Sequence, residues 1–128
     1  MKRRLFPIHV AMLVVALGCV SVAAHHGASA YDRTRSVTFK AVVSEFRWAN
    51  PHTFIIFDAP NESGQLERWS CESINPAMMA RQGWSKNTLK NGDTVTIVGN
   101  PSRTGSHVML LEKIVLADGR ELRAVLLD

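Results

Sequence analysis

Two groups of side chains in the sequence have types and spacing that could bind a metal or a ligand. In the first, His25 and His26 follow directly after residues 22–24 (VAA), a small-residue pattern at which export signals are cut. A cut after residue 24 gives His25 a free α-amine beside its imidazole, and both groups supply neutral nitrogen donors near neutral pH. With His26 or the more distant His52, they could complete a three-nitrogen copper(II) site.

The second group consists of Asn50, His52 and Glu72. The Asn50-Pro51 pair is typical of a turn, because proline cannot donate to a strand ladder, and this places His52 at the start of the next strand. Glu72 could orient the imidazole or contact the same ligand, and the ring of Trp84 could stack on that ligand. The structural alternatives are that His52 hydrogen-bonds a neighbouring loop and that Trp84 fills the core.

Motifs typical of catalysis are missing from the sequence. There is no glycine-rich phosphate loop, no Ser-His-Asp order, no CxxC and no paired acid motif. Cys71 and His52 could form a nucleophilic pair only with a lowered thiol pKa, and no cation or helix N-terminus is evident near Cys71. The sequence therefore assigns no catalytic residue and favours a non-enzymatic binding or accessory module, for a small ligand or an envelope protein. A copper-handling protein built on His25 and His26 is the alternative.

The first 24 residues are typical of a cleaved export signal. Residues 2–4 (KRR) are cationic, residues 5–20 are mainly apolar, and the small-residue cut site follows. Because the apolar stretch is too short to span a membrane and is followed by small residues, we expect no transmembrane helix in the mature chain. The mature protein is expected in the periplasm or outside the cell. Lipidation at Cys19 is an alternative, since residues 16–19 (ALGC) loosely resemble a lipobox.

Removing the leader also changes the charge. The full chain has 15 Lys and Arg residues against 11 Asp and Glu residues, a net charge of +4. Three of the cations belong to the leader, which leaves 12 against 11. The remaining cations are scattered along the sequence, whereas a nucleic-acid-binding protein needs a clustered basic face. We therefore expect no nucleic-acid partner.

The pattern of β-branched and aromatic residues predicts strands. They lie at residues 36–48, 52–58, 66–74, 94–98, 107–117 and 120–127. The alternation of apolar residues changes phase at residues 42–44, which predicts a bulge in the first strand. A short helix is predicted after the third strand, with Asn75 as its N-cap, Pro76 at its first position and Gly83 at its stop.

Three strands, one short helix and then two strands plus an extra one is the order of an OB-type barrel. The predicted fold is therefore all-β, a small OB-like barrel of five to six strands with one short helix between the third and fourth strands. Residues 1–24 are the signal, residues 25–35 are an N-terminal arm, and residues 36–128 are the barrel domain. A small β-sandwich is the alternative fold.

Short motifs are spread along nearly the whole mature chain: His25-His26, Tyr31-Asp32, Phe46-x-Trp48-x-Asn50-Pro51-His52, Gly64 with Trp69-x-x-Glu72, Gly83-Trp84, Gly92-Asp93-x-Val95 and Asp118-Gly119. Together they resemble DUF6152, an exported bacterial family of unknown function. The resemblance implies a small all-β exported protein and no particular activity. The chain departs from the family pattern at Ala41, where the family often has glycine, and at Gly27, where serine often follows the paired histidines.

Native mass spectrometry of the protein purified from the envelope fraction tests the leader and the copper alternative together. We expect a mass that starts at His25, because the small-residue site is the better cut. Retained copper, or copper bound after it is supplied, would support the metal alternative, and a metal-free mass under both conditions would remove it. A mass that starts at a lipidated Cys19 would contradict the expected cut and remove the free amine of His25.

Overall fold

The computed structural model describes residues 27–124. They form six strands and one short α-helix, which lies between the third and fourth strands. The strands are β1 (Val37–Arg47), β2 (Phe54–Pro60), β3 (Leu66–Glu72), β4 (Thr94–Pro101), β5 (Val108–Val115) and β6 (Glu121–Arg123), and the helix is α1 (Pro76–Arg81). Within residues 27–124, no helix is long and apolar enough to cross a membrane.

Five of the strands close into a barrel. The sheet order is β3-β2-β1-β4-β5-β6, and β3 also pairs in parallel with β5. This closing pair joins Ser70 to Val108, Cys71 to Met109 and Glu72 to Leu110. Since one sheet closes on itself and the helix lies between β3 and β4, the predicted OB-like barrel is confirmed and the β-sandwich alternative is wrong.

β1 carries the bulge that the sequence predicts. Its register with β2 shifts between Val43 and Glu45, so Ser44 is the extra residue. Before the shift, Ala41 and Val43 are buried, and after it Phe46 packs against the core. The change of phase therefore marks the point at which the long strand bends around the barrel.

The predicted start and stop of α1 are also confirmed. The side chain of Asn75 accepts a hydrogen bond of 3.0 Å from the backbone N–H of Met78, which satisfies one of the free donors at the helix start. Pro76 occupies the first helical position. Gly83 has a φ of 90°, the left-handed conformation that commonly ends a helix. Between them, Met79 is fully buried and joins α1 to the barrel core.

β4 and β5 differ from the prediction. β4 runs through Pro101, past its predicted end at residue 98. Gly99 makes this possible, because a Cβ atom at this position would lie 2.2 Å from the carbonyl oxygen of Leu110 on β5. The register shifts at the same place, so that Glu112 is an extra residue in β5.

Other predicted boundaries differ by a few residues. β2 begins at Phe54 and β3 ends at Glu72, inside the predicted ranges, although two backbone hydrogen bonds still join Thr53 to residues 73 and 74. The predicted last strand is represented by β6, and residues 125–128 lie outside the described part of the chain.

The described part of the predicted arm is docked on the barrel. Tyr31 forms an isolated β-bridge with Ser102, just after β4. The backbone N–H of Asp32 donates to the carbonyl of Pro101 at 2.8 Å, and that of Arg103 donates to the carbonyl of Ala30 at 3.0 Å. These bonds fix the position from which the side chain of Tyr31 reaches the barrel wall.

Candidate functional site

Glu72 lies at the end of β3, and its carboxylate is held by two side chains from other parts of the chain. The hydroxyl of Tyr31, in the arm, donates to Oε2 of Glu72 at 2.5 Å. Nδ1 of His52, in the loop between β1 and β2, hydrogen-bonds to Oε1. The side chain of Glu72 is only 18% exposed, so these two donors replace much of the water that a carboxylate requires.

The contact with Glu72 leaves the second ring nitrogen of His52, Nε2, unused. A carboxylate is an acceptor, so the nitrogen that faces Glu72, Nδ1, carries a proton, and in the neutral ring Nε2 keeps its lone pair. The side chain of His52 is 44% exposed. Within residues 27–124 no hydrogen bond engages Nε2. In the neutral ring, the arrangement therefore offers an oriented acceptor on a half-exposed side chain.

Tyr31 is the buried member of this group, with 5% of its surface exposed. Burial raises the pKa of its hydroxyl far above the ordinary tyrosine value, and the hydrogen bond to Glu72 and the negative charge of that carboxylate raise it further. Tyr31 therefore remains a donor at physiological pH and holds Glu72 from the side opposite His52.

The strand register explains how the three side chains meet. Glu72 pairs with Phe54 on β2 and with Leu110 on β5, at the place where the barrel closes. Its neighbour Cys71 is buried in the core cluster, and because side chains alternate along a strand, Glu72 points to the outer face. The loop that carries His52 leads directly into β2, the strand beside Glu72.

The structure brings two of the predicted ligand-binding residues together, His52 and Glu72. Asn50 lies exposed in the same loop as His52, and its peptide bond to Pro51 is cis. Trp84 is in the core: its ring is 3% exposed, and its indole N–H donates to the carbonyl of Arg123 at 2.7 Å. This placement fits the structural alternative for Trp84, whose role in ligand binding stays a prediction.

The predicted metal site cannot be placed, because His25 and His26 lie outside the described residues. In the range 27–124, no group of three or more His, Cys, Asp or Glu side chains is arranged to hold a metal ion. Copper binding through His25, His26 and His52 stays a prediction.

Tyr31 was not among the predicted site residues. Tyr31 is the only large apolar side chain in residues 25–35, and this was the available signal. A tyrosine in an otherwise small and polar arm has to bury its ring somewhere on the domain. The partner, Glu72, is 41 positions away in the sequence, and no local pattern identifies it.

A second histidine lies beside a carboxylate elsewhere on the barrel. His107, just before β5, stacks on Trp69 with 4.7 Å between ring centroids and 19° between planes. Its Nε2 lies 3.4 Å from Oε2 of Glu67, and its side chain is 48% exposed. In His107 the stacked ring and Nε2 are both engaged, whereas in His52 Nε2 is unused. His107 is therefore a natural control for His52.

Two cavities lie elsewhere on the described part of the barrel. These pockets, of about 250 and 370 Å³, are lined by other residues, and neither includes His52 or Glu72.

The family of unknown function DUF6152 matches residues 12–111, and the chain belongs to this family. No curated protein matches the sequence. Among solved structures, a crystal structure of the mitochondrial single-stranded DNA binding protein Rim1 from S. cerevisiae is similar, with 13% identity, a TM-score of 0.45, and coverage of 65% of this chain and 94% of that chain. A selenomethionine-labelled structure of Rim1 has 14% identity, a TM-score of 0.43, and coverage of 71% and 97%. Because both TM-scores are below 0.5, the OB-like assignment rests on the strand order of this chain and not on these similarities.

The ionisation of Tyr31 tests the buried hydrogen bond. The chain has a single tyrosine, so phenolate absorbance reports Tyr31 alone. We expect the folded protein to form phenolate only well above pH 10, the ordinary tyrosine value, and the urea-unfolded protein to form it at about pH 10. Because the folded state has the higher pKa, this contribution to stability is complete below about pH 10 and is lost as the pH rises further.

The variant Glu72→Gln is the comparison for this titration. It removes the negative charge and keeps an acceptor oxygen, so we expect the pKa of Tyr31 to fall relative to the wild type while burial still keeps it raised. A folded wild-type protein whose tyrosine ionises at the ordinary value would contradict the site geometry.

Proposed function

We propose that the protein is an exported, non-enzymatic binding module whose ligand docks on the half-exposed imidazole of His52. One observation carries the proposal: Nδ1 of His52 is held by the carboxylate of Glu72, which is itself held by the buried hydroxyl of Tyr31. A carboxylate in this position fixes both the orientation and the tautomer of the ring. Such a fixed ring binds a partner with less loss of side-chain freedom than a mobile surface histidine.

The ligand is one that offers a hydrogen-bond donor, a hydroxyl or an ammonium group, because Nε2 of His52 is an acceptor in the neutral ring. The position of His52 supports this binding role as well. OB barrels commonly bind ligands on the outer face of their second and third strands and on the adjoining loop between the first and second. His52 lies in that loop, and Glu72 lies on that face.

A binding role agrees better with the chemistry around His52 than a catalytic one. A histidine held by a carboxylate can act as a general base, but it then needs a nucleophile within hydrogen-bond reach. Cys71 is fully buried in the barrel core, and burial raises the pKa of its thiol, with the charge of Glu72 adding to the effect. Cys71 therefore does not support a nucleophilic pair with His52.

The charges beside the site support a partner other than nucleic acid. On the same three strands, Arg47 is paired with Glu45 at 2.9 Å, and Arg68 is paired with Asp58 at 3.0 Å. Arg47 and Arg68 are each accompanied by a carboxylate, and Lys40 is the one further cation on these strands, so they do not present the clustered positive charge that attracts a phosphate backbone. Export, in turn, is supported by the leader-like composition of residues 1–24.

Copper handling is the second candidate, and the orientation of His52 favours it specifically. Metal-binding histidines commonly donate their other ring N–H to a carboxylate, as Nδ1 of His52 does to Glu72. In this alternative Nε2 of His52 is one ligand, and His25 and His26 supply the others. The metal content of the envelope-purified protein separates the two candidates.

An NMR titration of the ¹⁵N-labelled protein tests the binding site. The probes are methyl β-glucoside as a hydroxyl donor, ethanolamine as an ammonium donor and acetate as an acceptor without a donor. We expect a donor probe to shift the amide signals around His52 and Glu72, and acetate to leave them unchanged. Replacing His52 with alanine should weaken ethanolamine binding by about ten-fold, the effect of losing one charge-assisted hydrogen bond, and weaken glucoside binding by less.

The matched control is His107→Ala. It removes a histidine of similar exposure that also lies next to a carboxylate, so general effects of losing an imidazole are common to both variants. The proposal requires His107→Ala to keep wild-type binding. Equal losses in the two variants, or no donor-dependent shift near His52, would rule it out.

A further inference from the structure

A second site lies on the outer side of β5 and does not depend on the role of His52. It is a pocket of about 370 Å³, which is within the size range of small-molecule sites. Leu110 and Leu111 supply its apolar lining, and Arg33, Lys113 and Arg123 supply positive charge. Leu110 pairs in register with Glu72, so this pocket begins one strand away from the His52 site.

The bulge in β5 shapes this pocket. Because Gly99 has no side chain, β4 approaches β5 closely, and Glu112 becomes the extra residue opposite this contact. Its backbone carbonyl accepts a hydrogen bond from the N–H of Ala124, which also lines the pocket. Bulges often re-aim side chains next to binding sites.

The carboxylate of Glu112 is already engaged by neutral donors. The hydroxyl of Ser36 donates to it at 2.8 and 2.9 Å, and the side-chain amide of Asn100 donates at 2.7 Å. Asn100 is itself 5% exposed and is anchored by a second bond to the carbonyl of Arg35. These bonds occupy acceptor positions of the Glu112 carboxylate and make one side of the pocket rigid.

The cations around the pocket are incompletely neutralised. Glu121 is shared between two of them: Lys113 contacts one of its oxygens at 2.8 Å, and Arg123 contacts the other at 2.7 Å. Arg33 is exposed, and within residues 27–124 it has no hydrogen bond and no ion pair. The three cations, Arg33, Lys113 and Arg123, are opposed by the two carboxylates of Glu112 and Glu121, which leaves a net charge of one positive unit. The guanidinium of Arg33 is therefore available to a ligand.

We propose that this pocket binds a small organic anion. Its carboxylate or phosphate group contacts Arg33, with Lys113 and Arg123 adding attraction, and its apolar part packs on Leu110. The guanidinium group suits either anion, because its N–H groups match the paired oxygens of both. The apolar part distinguishes the site from a surface that merely attracts inorganic ions.

Three probes with the same four-carbon chain test this proposal: butyrate, butyl phosphate and 1-butanol. We expect butyrate or butyl phosphate to produce saturable shifts in the amide signals of Leu110, Lys113 and Arg123, and 1-butanol to produce none. The tighter of the two anions identifies the group that the site prefers. Arg33→Gln should raise the dissociation constant about ten-fold, because it removes the charged donor and keeps a polar side chain.

Arg81→Gln is the matched control, since Arg81 is also exposed and its side chain has no hydrogen bond among the described residues, but it lies on α1. It should leave the dissociation constant unchanged. Equal weakening by Arg33→Gln and Arg81→Gln would show that the anions respond only to overall charge. Matching shifts with 1-butanol, or no saturable shift with either anion, would also overturn the proposal. Both arginines are exposed, and the unchanged remainder of each spectrum verifies the fold.

Discussion

The carboxylate of Glu72 is the interaction on which the candidate site depends. It is a largely buried charge, and such a group is stable only when donors replace the water that it has lost. Tyr31 and His52 supply those donors from the arm and from the loop between β1 and β2. One carboxylate therefore joins three separate segments at the place where β3 meets β5. Without it, Tyr31 would be a buried hydroxyl without this partner, and His52 would be free to rotate.

Closure of the barrel explains why both candidate sites lie near β5. The parallel pairing of β3 with β5 brings Glu72 beside Leu110, and the arm reaches the same region through its backbone contacts with the end of β4. The missing side chain at Gly99 then permits the close approach and register shift that accompany the bulge at Glu112. A donor-bearing ligand at His52 and an anion beside Arg33 would thus occupy adjacent parts of one barrel wall.

Local chemistry predicted much of the fold, and long-range contacts explain the rest. The cap at Asn75, the stop at Gly83 and the phase change before Glu45 are properties of short segments, so they were readable from the sequence. Gly99-Asn100-Pro101 has the composition of a turn, yet it belongs to β4, because Gly99 accommodates the backbone of β5 and Asn100 bonds to the distant Arg35 and Glu112. The pairing of His52 with Glu72 was anticipated, but the buried hydrogen bond from Tyr31 was not, since only the folded barrel brings it to Glu72.

The tautomer of His52 is the most direct test of its hydrogen bond to Glu72. Long-range ¹H–¹⁵N NMR of the imidazole in its neutral form distinguishes a proton on Nδ1 from one on Nε2. The geometry predicts Nδ1–H, with the proton directed at Glu72 and the lone pair on Nε2. A neutral ring that carries its proton on Nε2 would contradict the account, because Nδ1 could then not donate to the carboxylate and the site would present a donor where an acceptor is required.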